Sequence, residues 1–217
     1  MADKDKSRSH LERAYTLSST EEARALYQDW ALTYDEDLVA PLGYVGPVAL
    51  ADLVGRLATT RTRPVLDAGC GTGLVGRRLK ELGFTSVDGL DYSSAMLAVA
   101  RGHGLYRTLI EADLNTTLAL EDGLYDMVVS CGTFTHGHVG AGALNELIRI
   151  TAPDGHIYLS INEAIYESDG FADTLSGLQD RGLITVNGRE RIPLLTEEGI
   201  YGTVPVICRT AKGFDSL

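Results

Sequence analysis

The stretch VLDAGCGTGLVG, Val65 to Gly76, is the feature that most restricts how this chain can fold. The short apolar run PVLDAG reads as a strand, glycines at 69, 71 and 73 make a tight loop, and GLVGRRLKELG reads as a helix. A strand that passes directly into a helix rejoins its sheet through a crossover, and crossovers join parallel neighbours.

The same alternation continues along the chain. SVDGLDY reads as strand, SSAMLAVARG as helix, YRTLIEAD and YDMVVSC as strands, GALNELIRITA as helix and HIYLSIN as strand. Five strands with helical crossovers predict a doubly wound α/β fold, with helices on both faces of a mostly parallel sheet. The tail differs: after a helix at FADTLSGLQDRG, LITVNG and TVPVICRT predict an antiparallel pair at one sheet edge. Asn187-Gly188 could instead turn a local hairpin against RIPLL. The first 60 residues read as a helical cap, in which Ser19-x-x-Glu22 forms a capping box ahead of EEARALYQDWALTY, and VGPVALADLVGRLA is a second helix. The expected organisation is one domain over 1–217, with a cap over 1–60, a core over 61–217 and a mobile polar tip of a few N-terminal residues.

Composition narrows the function. A net charge of -11 argues against nucleic acid, whose binding draws on Lys and Arg. Cys70, Cys131 and Cys208 are too far apart and too few for a disulfide framework or a zinc site, which fits a reducing compartment. No apolar run reaches membrane-spanning length, so a cytoplasmic protein with no membrane partner is expected.

The glycine loop admits two ligands. Gly71-x-Gly73-x-x-Gly76, with Asp91 at 20 residues beyond Gly71, spells a dinucleotide fingerprint and an oxidoreductase. Asp67-x-Gly69-x-Gly71-x-Gly73 spells a loop for S-adenosylmethionine. Asp67 separates the two, because a carboxylate repels a pyrophosphate and attracts the ammonium of a methionine moiety.

VLDAGCGTG resembles the first motif of the class I S-adenosylmethionine-dependent methyltransferases, and GLDYS, EADL and YDMVVS through APDGHIYLSI resemble its later motifs in order. LYQDWALTYDEDL, RGHGLYRTL and GHVGAGALNELIRITAPDGHIYL are similar to the methyltransferase-like family of the Williams-Beuren syndrome chromosome region. The resemblance implies a Rossmann-like seven-stranded sheet with an antiparallel C-terminal strand, and S-adenosylmethionine as methyl donor with S-adenosylhomocysteine as product. Carried over by position, it implies that Asp67, Gly69, Cys70, Gly71 and Gly73 surround the methionine half. Asp91 would then accept from the ribose hydroxyls, Tyr92 and Met96 would sandwich the adenine, and Asp113 and Leu114 would meet its edge. Ser130 and Cys131 would face the sulfonium.

Tyr27, Trp30 and Tyr34 lie three and four residues apart and share a helix face, either as core or as cofactor contacts. Tyr34 is the better candidate for a lid. Methyl transfer needs a base only when the acceptor holds a proton, and His136, then His138, in CGTFTHGHVG are the candidates, with no catalytic residue assigned. The exit SCGTF lacks the N-P-P-Y signature of amide and adenine nitrogen methylation, no Pro-Cys thiolate follows strand four, and no acid cluster for a metal is evident. A small-molecule acceptor is expected, with a protein side chain as the alternative acceptor and a non-catalytic cofactor-binding protein as the alternative function.

Overall fold

The computed structural model describes residues 2–16, 20–135 and 138–211. Four helices come first: α1 (Ala2–Tyr15), α2 (Thr20–Trp30), α3 (Tyr34–Leu42) and α4 (Gly46–Leu57). Strand and helix then alternate as β1 (Val65–Ala68), α5 (Leu74–Glu81), β2 (Val87–Asp91), α6 (Ser94–Gly102) and β3 (Leu109–Glu111). After β4 (Tyr125–Phe134) come α7 (Leu144–Ile150), β5 (Thr151–Asn162), α8 (Glu163–Tyr166) and α9 (Phe171–Asp180). The chain ends on β6 (Ile184–Leu195) and β7 (Ile200–Arg209).

The seven strands form one sheet in the order β3-β2-β1-β4-β5-β7-β6. β1 to β5 run parallel to one another, while β7 lies antiparallel between β5 and β6. This is the expected mixed sheet with its antiparallel tail pair. Asn187-Gly188 sits inside β6 at a register shift between Val186 and Arg189, and the reversal into β7 falls at Thr196–Glu198. The local hairpin against RIPLL is therefore replaced by a bulge, which keeps β6 on the β7 ladder while inserting one extra residue.

Both faces of the sheet are covered. Leu50 and Val54 of α4 and Val75 and Leu79 of α5 pack on one face, and Leu147 of α7 and Phe171 and Leu175 of α9 pack on the other. Phe171 meets Phe134 edge to face, with ring centroids 5.8 Å apart. Among the described residues no helix is long and apolar enough to cross a membrane.

The N-terminal segment departs from expectation in two places. A helix, α1, occupies the stretch expected to be a mobile tip, and its Ala14 joins Leu26, Trp30, Leu38 and Leu42 in a third apolar cluster. EEARALYQDWALTY is also not one helix. The chain breaks after Trp30, and Asp37 ties the two pieces by accepting from Trp30 Nε1 (2.8 Å) and Thr33 Oγ1 (2.9 Å). Ser19 of the capping box lies outside the described residues, while Glu21 and Glu22 occupy the first turn of α2, where acids complement the helix dipole.

One side chain holds the β1 loop against its neighbours. Tyr106, between α6 and β3, runs beneath the glycine loop and donates from its hydroxyl to Asp67 Oδ2 at 2.6 Å. A Cβ on Gly76 would overlap the Tyr106 ring, and one on Gly89 would crowd its edge at 3.2 Å, so glycine at these two positions makes room for the tyrosine. Burial lifts the Asp67 carboxyl to about 7, against the opposing pull of the Tyr106 hydroxyl and the Gly76 N–H.

Gly76→Ala should therefore lower stability by about 1–3 kcal/mol in urea unfolding, since overpacking outweighs the helix preference for alanine of roughly 1 kcal/mol. A gain would contradict the close packing. For Asp67, a folded value near 7 above the unfolded value of 3.8 means that the native state holds the extra proton between those limits, so stability from this group falls as pH rises from 4 to 7. Asp67→Asn should remove that slope, leaving the variant progressively better off relative to the wild-type protein across the same interval in pH-dependent unfolding.

Candidate functional site

The carboxyl ends of β1, β2 and β4 converge on a cavity of about 750 Å³ counted to its open mouth, within the roughly 300–1,000 Å³ of small-molecule and cofactor sites. Its floor is the glycine loop. Gly69 (φ 73°) and Gly71 (φ 52°) take left-handed backbone angles, and a Cβ on Gly69 would strike Thr133, so both positions need glycine. Leu90 at the end of β2 accepts from the N–H groups of Gly69 (2.7 Å) and Cys70 (2.9 Å), which locks the loop to the neighbouring strand. A Cβ on Gly71 would meet nothing within 4 Å, so the loop backbone is open toward the cavity.

Asp91 closes the end of β2. Its Oδ2 accepts from Gly71 N at 2.9 Å and its Oδ1 from Ser93 N at 2.8 Å. Burial pushes its pKa upward, and the N–H groups of Ser93, Gly71 and Tyr92 pull it back. Each carboxylate oxygen keeps a further lone pair for a ligand donor. Ser93 in turn caps α6 by accepting from Met96 N, which sets Met96 and Tyr92 on the cavity wall. The Tyr92 hydroxyl is buried without a hydrogen-bond partner among the described residues. Asp113 shapes the next corner by accepting at Oδ1 from Asn115 N (2.9 Å) and Asn115 Nδ2 (3.1 Å), an Asx turn beside Leu114.

The cap supplies the roof. Arg24 of α2 lies over the Tyr92 ring at 5.7 Å, and Tyr27 meets that ring edge-on at 6.3 Å. Asp35 of α3 accepts from Thr72 Oγ1 at 2.6 Å and faces Arg77 at 3.8 Å, so the helix carrying Tyr34 is fastened to the glycine loop. Tyr27 and Tyr34 line the cavity, and burial raises the pKa of both hydroxyls.

A second cavity adjoins the first between the cap and the ends of β4 and β5. Tyr27, Tyr34, Gly132 and His138 line both. At this junction Tyr27 Oη and His138 Nε2 are 2.8 Å apart. Cys131 beside it is buried, and burial pushes its thiol up to about 12, so it stays protonated at neutral pH.

The structure thus brings together Tyr27, Tyr34, Gly69, Gly71, Asp91, Tyr92, Met96, Asp113, Leu114 and Cys131 on one cavity. Asp67 is fully buried beneath the loop and engaged by Tyr106, off the cavity wall. Cys70 and Gly73 lie off both cavity walls and bond to each other within the loop, Gly73 N donating to Cys70 O at 2.9 Å, while Ser130 donates to Ala68 O at 2.6 Å within the sheet and Trp30 faces the second cavity. His136 lies outside the described residues, whereas His138, the second choice of that loop, stands at the junction. Gly132 and Thr133 also line the first cavity, because β4 continues through Phe134 although its apolar run YDMVVSC ends at Cys131. Among the described residues no group of three or more His, Cys, Asp or Glu side chains could hold a metal ion.

Residues 65–155 match the family described as a methyltransferase domain. The chain is 30% identical over 182 residues to methyltransferase-like protein 27 of Homo sapiens, covering 81% of this chain and 74% of that protein. It is 29% identical over 138 residues to the malonyl-(acyl-carrier protein) O-methyltransferase of Buchnera aphidicola, covering 62% of this chain and 55% of that relative, so it spans about half of the latter's length. The fold is similar to that of a candidate S-adenosyl-L-methionine-dependent methyltransferase from Methanococcus maripaludis, with a TM-score of 0.62 at 18% identity, covering 86% of this chain and 95% of the other. With a relative matched over about three quarters of its length and the sheet order already described, the chain belongs to the class I S-adenosylmethionine-dependent methyltransferases.

Proposed function

We propose that the first cavity holds S-adenosylmethionine and that the chain moves its methyl group to a small molecule seated in the second. The observation that carries this reading is the shared wall of Tyr27, Tyr34, Gly132 and His138, which joins a cofactor-sized cavity to a smaller one. Residues 1–60 act as the cap and 61–217 as the core of one functional unit, since the second cavity is built from both.

The residues present fit the cofactor. Asp91 accepts from the ribose hydroxyls with its remaining lone pairs, Tyr92 and Met96 flank the adenine, and Asp113 and Leu114 meet its polar edge. The open backbone at Gly71 and the neutral surface at Gly69 and Cys131 leave room for the methionine half. Tyr34, held by the Asp35 to Thr72 hydrogen bond, covers the junction and keeps water from it. Bound S-adenosylmethionine supplies a methyl group already activated by positive sulfur, so the protein's part is to orient the acceptor in line and exclude competing nucleophiles. Asp67 acts from beneath by fixing the loop with Tyr106.

A thermal melt tests the cofactor. At a hundred times Kd, S-adenosylmethionine or S-adenosylhomocysteine should stabilise the protein by about 2.7 kcal/mol, or roughly 5–10 °C, and NADH should do nothing. Asp91→Asn should weaken binding of either about ten- to a hundredfold, as expected on losing the charge from hydrogen bonds of this kind. A shift with NADH and none with the two sulfur cofactors would contradict the reading.

A further inference from the structure

The second cavity differs from the first in chemistry. Among its described lining residues none is Asp, Glu, Lys or Arg. Counted to its mouth it is also smaller, about 530 Å³ against 750 Å³. Rings line it from three directions, with Tyr15 on α1, Trp30 on α2 and Tyr44 and Phe134 from the core side. Its polar groups are neutral: Ser160 already accepts from Gly132 N at 3.3 Å, and Asn162 spends its amide on Ala164 N (3.0 Å) and Thr135 Oγ1 (3.4 Å). An ionised acceptor entering here would lose its hydration with no opposite charge to replace it. A flat uncharged ring loses little and gains aromatic contacts.

Of the residues that line both cavities, Tyr27 and His138 meet through their polar atoms, the Tyr27 hydroxyl and His138 Nε2 being 2.8 Å apart. Tyr27 is held protonated by burial and by the negative charge of Asp91, so its hydroxyl has a proton to donate to the imidazole nitrogen when Nε2 is unprotonated. Groups that titrate around the pair are Tyr15 on α1, Tyr34 on α3, Tyr44 before α4, Tyr92 and Asp91 at β2 and Cys131 on β4.

Resting on the methyltransferase reading above, we propose that the acceptor is an uncharged single-ring compound bearing a hydroxyl, and that Tyr27 and His138 remove its proton. As the new oxygen–methyl bond forms, the sulfur–methyl bond breaks and its electron pair returns to sulfur. The acceptor's hydroxyl proton passes to Tyr27 Oη, the Tyr27 proton passes to His138 Nε2, and the imidazolium later releases it to water. A phenolic hydroxyl holds its proton at neutral pH, so this path is what permits attack there.

The test uses the whole chain saturated with S-adenosylhomocysteine, whose own binding is titrated first. Phenol, benzoate, benzylammonium and toluene are then titrated separately by calorimetry. Phenol should bind, with the two ions and toluene at least tenfold weaker. Transfer of a labelled methyl group from S-adenosylmethionine to phenol should then fall about a hundredfold in Tyr27→Phe and in His138→Gln. In His138→Gln phenol should still bind the loaded protein within about threefold of the wild-type affinity, which separates loss of proton transfer from loss of the site, whereas Tyr27→Phe, which removes the hydroxyl that meets the phenol oxygen, should weaken phenol binding as well. Failure of S-adenosylhomocysteine to bind would overturn the cofactor reading itself. If it binds, equal affinity for benzoate or benzylammonium, or binding of none of the four, overturns the acceptor class. Undiminished transfer by His138→Gln, or phenol binding without transfer in the wild-type protein, overturns the proton path.

Discussion

The carboxylate of Asp91 is the constraint from which the rest of the site follows. By accepting from Gly71 on one side and Ser93 on the other, it joins the loop after β1 to the cap of α6. That single side chain therefore sets the position of the glycine floor and of the Tyr92 and Met96 wall. It can do so because β1 and β2 are parallel neighbours whose carboxyl ends lie side by side, the usual place for a ligand in an open α/β sheet. Burial raises its pKa and three backbone N–H groups oppose that rise, and this leaves a desolvated acceptor on the cavity wall.

Above this floor the cap is an extension of the same hydrogen-bonded framework. Asp35 bonds the glycine loop directly through Thr72, and Asp37 two residues later holds the break between α2 and α3. The aromatic residues on either side of the break, Tyr27 and Trp30 on α2 and Tyr34 on α3, line two adjoining cavities. Tyr27 and Tyr34 consequently serve both cavities, and Trp30 serves the second.

Much of this was legible in the sequence because it is local. Hydrophobic runs separated by helical stretches give the parallel sheet, and the resemblance of GLDYS and EADL to methyltransferase motifs gives Asp91 and Asp113. What escaped depends on contacts distant in the chain. Asp67 reads as a ligand group, yet Tyr106, 39 residues later, claims its carboxylate from below. Gly76 reads as a glycine for helix-to-sheet packing, and the group its small size admits is that tyrosine ring. His138 finds Tyr27 across 111 residues, a pairing that no periodicity signals. The helix α1 is missed because its composition is polar and its apolar contacts are supplied by the following helices.

The central claim is that the Asp91 corner and the glycine loop form the seat of an adenosyl cofactor whose methyl end faces the second cavity. A crystal structure of the chain with S-adenosylhomocysteine tests it most directly. The account predicts ribose hydroxyls within hydrogen-bond distance of both Asp91 oxygens, adenine between Tyr92 and Met96, and sulfur facing Tyr34 at the junction. Ribose placed away from Asp91, or the homocysteine end directed away from the second cavity, would contradict it.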